Sequence, residues 1–309
     1  MSASVPQAMA AGGSPARRRG KFNYAPYLLT APTVILLLAF IAYPIATVFY
    51  YSLQHYNVTQ PWYNGFAGID NFTKLLTGDP KFWSSLWITI EWVVSEVVLQ
   101  LLLGLALALV INEAFRGRGL ARAVVFAPWA ISGVLTTEIW LLIYNPVTGL
   151  GKLERVLGLG NGNVAPLASP HGAFLSALIA ELWRGIPFFA ILLLADLQSI
   201  PEDLYEAARV DRANVFGRFR YVTLSHLKDA IVLSTLLRAV WEFNNVDLLY
   251  TLTGGGPADT TTTLPLYIAQ EATVAHNFGY GAALTVAAFV ILLAFSGIYL
   301  RLTRFGQEA

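Results

Sequence analysis

The sequence lacks cysteine, is poor in charge and has no nucleotide-binding motif. None of its 309 residues is Cys, which excludes disulfides and thiolate metal sites. Charged residues make up 13% of the chain, against about 25% in soluble domains. The 20 Lys and Arg balance the 19 Asp and Glu, so no basic field predicts a nucleic-acid partner. The pattern G-x-x-x-x-G-K-[ST] is absent, so the chain is not expected to bind ATP phosphates by itself.

Enzyme motifs are also missing. The four histidines are scattered without metal-ligand spacing, and no nucleophile elbow occurs. The sequence therefore predicts neither a metal site nor a membrane enzyme, and it predicts no cofactor of its own.

Long apolar runs dominate what is present. Hydrophobic residues make up 56% of the chain, and a run of about 20 such residues can cross a bilayer. Six runs qualify and predict an all-α, polytopic integral membrane protein with six transmembrane helices: Tyr27–Tyr51, Phe82–Ile111, Ala123–Tyr144, Ala173–Leu197, Ala230–Thr251 and Tyr280–Leu300.

The first 22 residues differ in composition from the rest. They are rich in Ala, Gly, Ser and Pro and contain three consecutive arginines, which predicts a disordered cytoplasmic tail ahead of a six-helix domain over residues 23–305. A signal peptide is the alternative, because a basic stretch precedes an apolar one. The run is longer than the usual 7–15-residue apolar region and contains Pro32 and Pro44, so a first transmembrane span is favoured.

The Lys and Arg residues of the connections are distributed unequally. Fourteen fall on one side of the predicted spans, and only Lys74, Lys81, Lys152 and Arg155 fall on the other. Cytoplasmic connections carry the excess of basic residues. This predicts a multi-pass plasma-membrane protein with both termini in the cytoplasm, a large cytoplasmic connection over residues 198–229, and outer segments over 52–81, 145–172 and 252–279.

The large cytoplasmic connection has the pattern of two short helices joined by a turn. Ser199 and Glu202 have the spacing of a capping box, which predicts a helix start there. Small and apolar side chains then recur at helical spacing, so another surface could approach closely. An amphipathic hairpin lying on lipid headgroups is the alternative.

This connection resembles the EAA loop of permease subunits in ABC-type importers, and the sugar-uptake branch fits best. The resemblance rests on Glu206-Ala207-Ala208-x-x-Asp211-x-Ala213 with Phe216 beyond it, on Trp183-x-Gly185-x-Pro187-Phe188 upstream, and on Glu242-Phe243-Asn244-Asn245 and Leu252-Thr253-Gly254-Gly255-Gly256-Pro257 downstream. It implies the type I importer permease fold, with the hairpin docking in a separate ATPase subunit. The implied coupling residues are Glu206, Ala207, Ala208, Asp211, Ala213 and Phe216.

The resemblance also implies partners. They are a second permease subunit, two ATPase subunits that bind Mg-ATP, an extracytoplasmic sugar-binding protein and membrane lipid. Two positions depart from the family pattern: Arg212 stands where Gly is usual, and Ser225 stands where Pro is usual. Glycine would adopt a positive φ freely, whereas Arg would not. These two departures are therefore expected to affect how this loop fits its ATPase.

Ionisable residues inside the predicted spans are costly, so they usually face a partner or a wet cavity. Glu181 and Arg184 are three residues apart, and Arg238 and Glu242 are four apart, so each pair lies on one helix face. Each pair could fix helix packing or line a polar site. Three more acids have no obvious local partner: Glu91, Glu96 and Glu138.

The fifth predicted span combines an aromatic ring with hydrogen-bonding groups, which suits a sugar with an apolar C–H face and polar hydroxyls. Resemblance to maltose-type permeases implies sugar contacts at Trp183, Gly185, Phe188, Arg238, Trp241, Glu242 and Asn245, although Trp183 could instead serve packing or the membrane interface. Paired rather than excess positive charge favours a neutral oligosaccharide or disaccharide, such as trehalose or maltose. The alternative function is an ion-coupled secondary transporter that uses the intramembrane glutamates, but the repeats typical of such transporters are not evident.

Overall fold

The computed structural model describes residues 24–158 and 164–303. The predicted disordered tail over residues 1–22 lies outside the described residues. The chain divides into two units, Met1–Thr47 and Val48–Ala309. The first contains α1 (Ala25–Leu37), a wide helical turn (Leu38–Ala42) and the beginning of α2 (Tyr43–Ser52).

The second unit begins, after α2, with a small outer layer. β1 (Gln54–His55) pairs antiparallel with β2 (Gly65–Phe66), with Gln54 opposite Phe66. A short turn follows as α3 (Asp70–Thr73), which continues into a wide helical turn (Lys74–Gly78). The buried side-chain amide of Asn71 donates to the backbone oxygens of Ser52 and Gln54, at 3.0 and 2.9 Å. This amide fixes the hairpin to the end of α2.

The two longest helices form the centre of this unit. α4 (Pro80–Asn112) begins at Asp79, whose carboxylate accepts from the backbone amides of Lys81 and Phe82. α8 (Pro170–Leu197) packs along α4. Their backbones approach closely at Gly104, where a Cβ atom would lie 2.5 Å from the Cβ of Phe189. Glycine is therefore required at this crossing.

The third predicted span is broken. The helices α5 (Arg118–Ala130) and α6 (Gly133–Tyr144) meet at an angle of 97°. Ile131 and Ser132 between them are extended, and the Ser132 hydroxyl accepts from the backbone amide of Leu135, at 3.4 Å, as the cap of α6. The prediction of one continuous helix over Ala123–Tyr144 is wrong because Pro128 and this cap end α5 and start a new helix.

The fifth predicted span is also interrupted. α7 (Leu150–Val156) precedes α8. Three short helices follow α8, namely α9 (Glu202–Val210), α10 (Val215–Arg218) and α11 (Leu224–His226), and the chain then enters α12 (Lys228–Phe243). α12 ends in the polar stretch Asn244-Asn245, and α13 (Asp247–Leu252) follows. The prediction of one continuous span to Thr251 is wrong because the helix ends at Phe243 and the two asparagines after it are not helical.

The chain ends with α14 (Leu264–Thr273) and the long α15 (Phe278–Thr303). Among the described residues, four helices are long and apolar enough to cross a membrane by themselves: Pro26–Ser52, Pro80–Asn112, Pro170–Leu197 and Phe278–Thr303. They coincide with the first, second, fourth and sixth predicted spans. The predicted all-α membrane fold is confirmed.

Candidate functional site

A buried polar cluster joins α4, α8 and α12. The guanidinium of Arg238 donates to the carboxylate of Glu181 at 2.8 Å and to the side-chain oxygen of Gln100 at 2.7 Å, and it pairs with Glu242 at 2.5 Å. Arg184 adds a second guanidinium to Glu181, at 2.9 Å. Both ion pairs predicted from helical spacing are therefore present, and Glu181 links them.

The inner face of α4 contributes further groups to this cluster. Gln100 donates to Glu96 at 2.7 Å, and the indole of Trp92 donates to Glu242 at 3.2 Å. Glu96, Gln100 and Trp92 are fully buried. The sequence analysis named Glu96 only as an acid without a partner, and it missed Gln100 and Trp92. Their spacing of four residues along α4 is the signal that could have placed them on one face.

Gly185 makes room for this cluster. A Cβ atom at this position would lie 2.3 Å from the side-chain nitrogen of Gln100 and 2.5 Å from the guanidinium of Arg238. Packing therefore leaves no room for a side chain at position 185. The glycine of the predicted site therefore allows the polar groups of three helices to meet.

The structure separates the predicted sugar-site residues into two groups. Gly185, Arg238 and Glu242 are buried, and Phe188 is 9% exposed. Trp241 is 49% exposed, and its ring lies 5.2 Å from that of Phe188. The first group can position a site but is enclosed in this conformation, whereas Trp241 offers an open aromatic face.

Two more predicted residues are partly exposed. The side-chain amide of Asn245 donates to Glu242 at 3.3 Å and is partly exposed. Trp183 is partly buried, and its ring lies 6.2 Å from that of Trp140. Asn244 and Asp247 are exposed and Arg184 is partly exposed, although none of the three is among the predicted sugar contacts. The α8, α12 and α13 surfaces thus carry polar and aromatic groups together.

The hairpin that was predicted to be cytoplasmic has the predicted form. α9 and the helical stretch from Val215 to His226 are joined by a turn that Asn214 caps, its side-chain oxygen accepting from Gly217 at 2.7 Å. Tyr205 and Thr223 hydrogen-bond across the two arms at 2.9 Å. The hairpin is therefore a defined unit.

The predicted coupling residues lie on its accessible side. Glu206, Ala207, Asp211 and Phe216 are exposed, and Ala208 and Ala213 are partly exposed. Large apolar side chains are also uncovered there: Val210, Val215, Phe216 and Tyr221, each more than 70% exposed. An exposed apolar patch of this kind marks an interaction surface.

Two details of the hairpin differ from the sequence expectation. The predicted capping box is wrong, because Ser199 instead donates to the backbone oxygen of Asp196 and contacts His226, while α9 starts at Glu202 after Pro201. The turn does not stay right-handed, because Arg212 has a φ of 58°. This is the conformation that the glycine usual at this position would adopt readily.

Among residues 24–158 and 164–303, no group of three or more His, Cys, Asp or Glu side chains could hold a metal ion.

Comparison with known proteins decides the family. Residues 100–305 match the family described as binding-protein-dependent transport system inner membrane component. The chain belongs to this family. The matched region begins in the middle of α4 and includes the hairpin of α9 to α11 and α12 to α15. It contains Gln100 and the four charged residues that α8 and α12 contribute to the buried cluster, whereas Trp92 and Glu96 precede it.

Curated relatives match over nearly the whole chain. The trehalose/maltose transport system permease protein MalF of Thermococcus litoralis is 37% identical over 91% of this chain and 94% of its own. The sulfoquinovosyl glycerol transport system permease protein SmoG of Agrobacterium fabrum is 36% identical over 90% and 89%. The trehalose transport system permease protein SugA of Mycobacterium tuberculosis is 34% identical over 92% and 89%.

Solved structures agree in fold. A bacterial ABC transporter involved in the import of the acidic polysaccharide alginate matches with a TM-score of 0.75, at 22% identity over 92% of this chain and 96% of that one. The predicted membership among permease subunits of sugar-uptake ABC importers is confirmed. The relatives are permeases rather than enzymes, as predicted.

Proposed function

We propose that this permease forms one wall of the translocation pathway for a neutral oligosaccharide or disaccharide. ATP hydrolysis in a separate subunit drives the import. The observation that carries the proposal is the cytoplasmic hairpin, because it presents the family's loop residues and an apolar patch outward on a framework fixed to the membrane helices.

ATPase coupling is supported by the composition of the hairpin surface. Ala207 and Ala208 are small, so a partner can approach the backbone of α9, and Phe216 supplies an apolar anchor at its end. Exposed aromatic anchors are typical of the centre of protein interfaces. The hairpin therefore fits a cleft in an ATPase subunit better than a lipid surface.

A sugar is supported by the membrane-embedded face. Trp241 offers a ring for stacking, and the partly exposed Asn245 and Trp183 supply donors and an acceptor. Arg238, Glu242, Gly185 and Phe188 support this face from behind. Two of the reported relatives carry trehalose in their names, and one of these also carries maltose. The paired charges favour a neutral sugar over an anion.

The assembly proposed here includes a second permease subunit, two ATPase subunits and an extracytoplasmic sugar-binding protein. One structural neighbour with a TM-score of 0.76 is an alginate transporter in complex with a substrate-bound periplasmic protein. The charge asymmetry of the connections supports a cytoplasmic position for both termini. Sugar released outside would then reach the face around Trp241.

Transport in this proposal proceeds by alternating access. ATP binding would bring the hairpins of the two permeases together and tilt the spans. Such a change requires ATP to have a differential affinity for the two states. The ion-paired contact among α4, α8 and α12 would let these helices move as one body.

The test is uptake of radiolabelled trehalose or maltose into proteoliposomes that contain the complete importer. We expect uptake to require ATP and the binding protein. Trp241→Ala and Asn245→Ala should weaken the apparent sugar affinity about 5- to 150-fold, since a lost buried contact is worth roughly 1–3 kcal/mol. Trp87→Ala is the control, because Trp87 is an exposed tryptophan of α4.

Assembly must be measured beside uptake. Normal uptake by both α12–α13 variants would reject the proposed sugar face, and loss of assembly would assign these residues to packing. ATP-independent uptake that follows a proton gradient and disappears in Glu96→Gln would support the secondary-transporter alternative instead.

A further inference from the structure

A cavity lies between the β1–β2 hairpin, called the outer hairpin below, and the start of α15. Its volume is about 300 Å³, which is in the range of small-molecule sites. Its walls come from the β1–β2 hairpin, from α3 with the turn after it, and from the residue before α15. The lining residues include His55, Tyr56, Gln60, Tyr63, Asp70, Lys74 and Asn277. None of these residues belongs to the polar cluster or to the face around Trp241.

Backbone contacts hold the two walls in place. The amide of Gly279 donates to the oxygen of Tyr56 at 3.0 Å, and the amide of Val58 donates to the oxygen of His276 at 3.1 Å. A Cβ atom at Gly279 would lie 2.1 Å from the backbone oxygen of Gln54. Only glycine permits this close approach, so the cavity is preformed by the packing of the hairpin on α15.

Aromatic rings line the cavity. The rings of His55 and Tyr63 are 4.6 Å apart, and Tyr63 remains 60% exposed. Tyr56 is held by stacking on Tyr51, with ring centres 5.0 Å apart and planes inclined by 14°. A fixed ring beside an open one supplies the flat apolar surface on which the C–H face of a sugar can pack.

Hydrogen-bonding capacity remains around these rings. Among the described contacts, the side-chain amide of Gln60 and the hydroxyl of Tyr63 have no partner within the chain. Asn277 uses its side-chain oxygen to accept from the amide of Tyr280 at 3.2 Å, which leaves its NH2 group as a donor. Donors and acceptors around a ring are the groups that hydroxyls require.

The charges of the cavity balance. Asp70 is exposed and lies 3.7 Å from the His55 ring nitrogen. Lys74 is the one Lys or Arg among the lining residues, and its ammonium already lies 4.1 Å from the centre of the Tyr280 ring. A phosphate or carboxylate ligand would require an excess of positive charge. A neutral polar ligand fits better.

We propose that this outer cavity is a carbohydrate-binding subsite that takes a neutral hexose or disaccharide, separate from the sugar face at Trp241. Its geometry stands by itself, but the class of sugar and its outward position rest on the proposed function. Sugar held here would be concentrated beside the entrance before it reaches the membrane-embedded face.

The experiment measures binding of trehalose and of maltose to the complete importer in lipid nanodiscs, without ATP or binding protein, by saturation-transfer NMR titration. Gln60→Ala and Tyr63→Ala should each weaken binding about tenfold, a factor that corresponds to about 1.4 kcal/mol. Tyr63→Phe, which keeps the ring, should lose less. Val58→Ala, at an exposed position of the same hairpin, is the control and should bind as the wild type does.

The two sites are distinguished by Trp241→Ala. This variant should show weakened uptake but keep the NMR binding. Failure of the proposed function would leave uptake unchanged in Trp241→Ala, whatever the outer cavity does. The subsite is overturned if neither sugar binds saturably, or if binding disappears only in Trp241→Ala. It is also overturned if Gln60→Ala and Tyr63→Ala keep sugar binding but lose stimulation by the binding protein, since the cavity would then be a protein contact.

Discussion

At the scale of single residues, Asp79 connects three elements of the outer layer. Its carboxylate caps α4 and accepts from the hydroxyls of Tyr267 in α14 and Tyr280 in α15. Burial would raise the pKa of the Asp79 carboxyl, but the hydrogen bonds from the two tyrosines and the two backbone amides outweigh it and hold the pKa below its ordinary value. The ionised carboxylate therefore stabilises the contact among α4, α14 and α15.

This lowered pKa gives a pH-dependent stability. A group with a depressed pKa contributes stability above its ordinary value, here 3.8, and loses it as the pH falls through the folded-state pKa. We expect Asp79→Asn to lower stability at pH 7 by about 1 kcal/mol, because partial exposure screens the interaction. Thermal melts of the purified permease at pH 7 and below 4 measure this.

The difference between wild type and Asp79→Asn should shrink in acid. Asp70→Asn is the matched control, because Asp70 is an exposed acid of the same outer layer and lies 3.7 Å from the His55 ring nitrogen. A difference that is unchanged or larger in acid would contradict the role of the ionised carboxylate.

Residue patterns predicted some of the polar cluster and missed the rest. The pairs Glu181–Arg184 and Arg238–Glu242 follow from helical spacing alone. The bond between Arg238 and Glu181, which joins α12 to α8, does not, because it depends on how two helices pack. Gln100 was missed for the same reason. Local spacing therefore predicted charge neutralisation, whereas packing decided that the groups form one network.

At the scale of elements, the turn between α9 and α10 contains backbone strain. A positive φ is disfavoured by about 1–2 kcal/mol for residues with a Cβ atom, and Arg212 has a φ of 58°. Arg212→Gly should therefore raise stability by up to about 1 kcal/mol, or a few degrees in melting temperature. Thermal melts of the purified permease test this.

The control for this turn is Arg209→Gly. Arg209 lies inside α9, where glycine costs about 1 kcal/mol relative to good helix formers. We expect opposite signs for the two substitutions. A loss of stability in Arg212→Gly equal to that in Arg209→Gly would show that the turn is relaxed with arginine.

Apolar runs predicted the four long helices but not the breaks in the other two spans. Hydropathy averages over a window, so it does not respond to the Ser132 cap or to the asparagines after Phe243. Helix ends depend on where a side chain can replace a backbone hydrogen bond. Both breaks border the surface that carries Trp183, Trp241 and Asn245, and irregular backbone in a membrane protein is tolerated where it lines a cavity.

At the scale of the whole molecule, the orientation in the membrane is open to direct test. The native chain has no cysteine, so single cysteines report their own side. Ala168→Cys and Ala275→Cys, both exposed in outer segments, should react in whole cells with a membrane-impermeant maleimide. Ala114→Cys and Arg220→Cys, both exposed in cytoplasmic connections, should react only after lysis. The reverse pattern would invert the topology.

Coupling between the hairpin and an ATPase is the central claim, because it separates an ATP-driven importer from any other membrane carrier. The family loop was recognisable from sequence, since its residues lie within one short segment. The surface that results was not, because the exposure of Val210, Val215 and Tyr221 follows from how the two arms pack. Ala207 lies exposed on α9, beside this apolar surface.

The most direct measurement is ATP hydrolysis by the reconstituted importer, with and without sugar-loaded binding protein, for wild type, Ala207→Trp and Ala114→Trp. Ala114 is an exposed alanine of the neighbouring cytoplasmic connection and serves as the control. We predict that Ala207→Trp abolishes the stimulated hydrolysis while the permease remains in the membrane, and that Ala114→Trp keeps it. Stimulation at the wild-type level in Ala207→Trp would contradict docking through this hairpin.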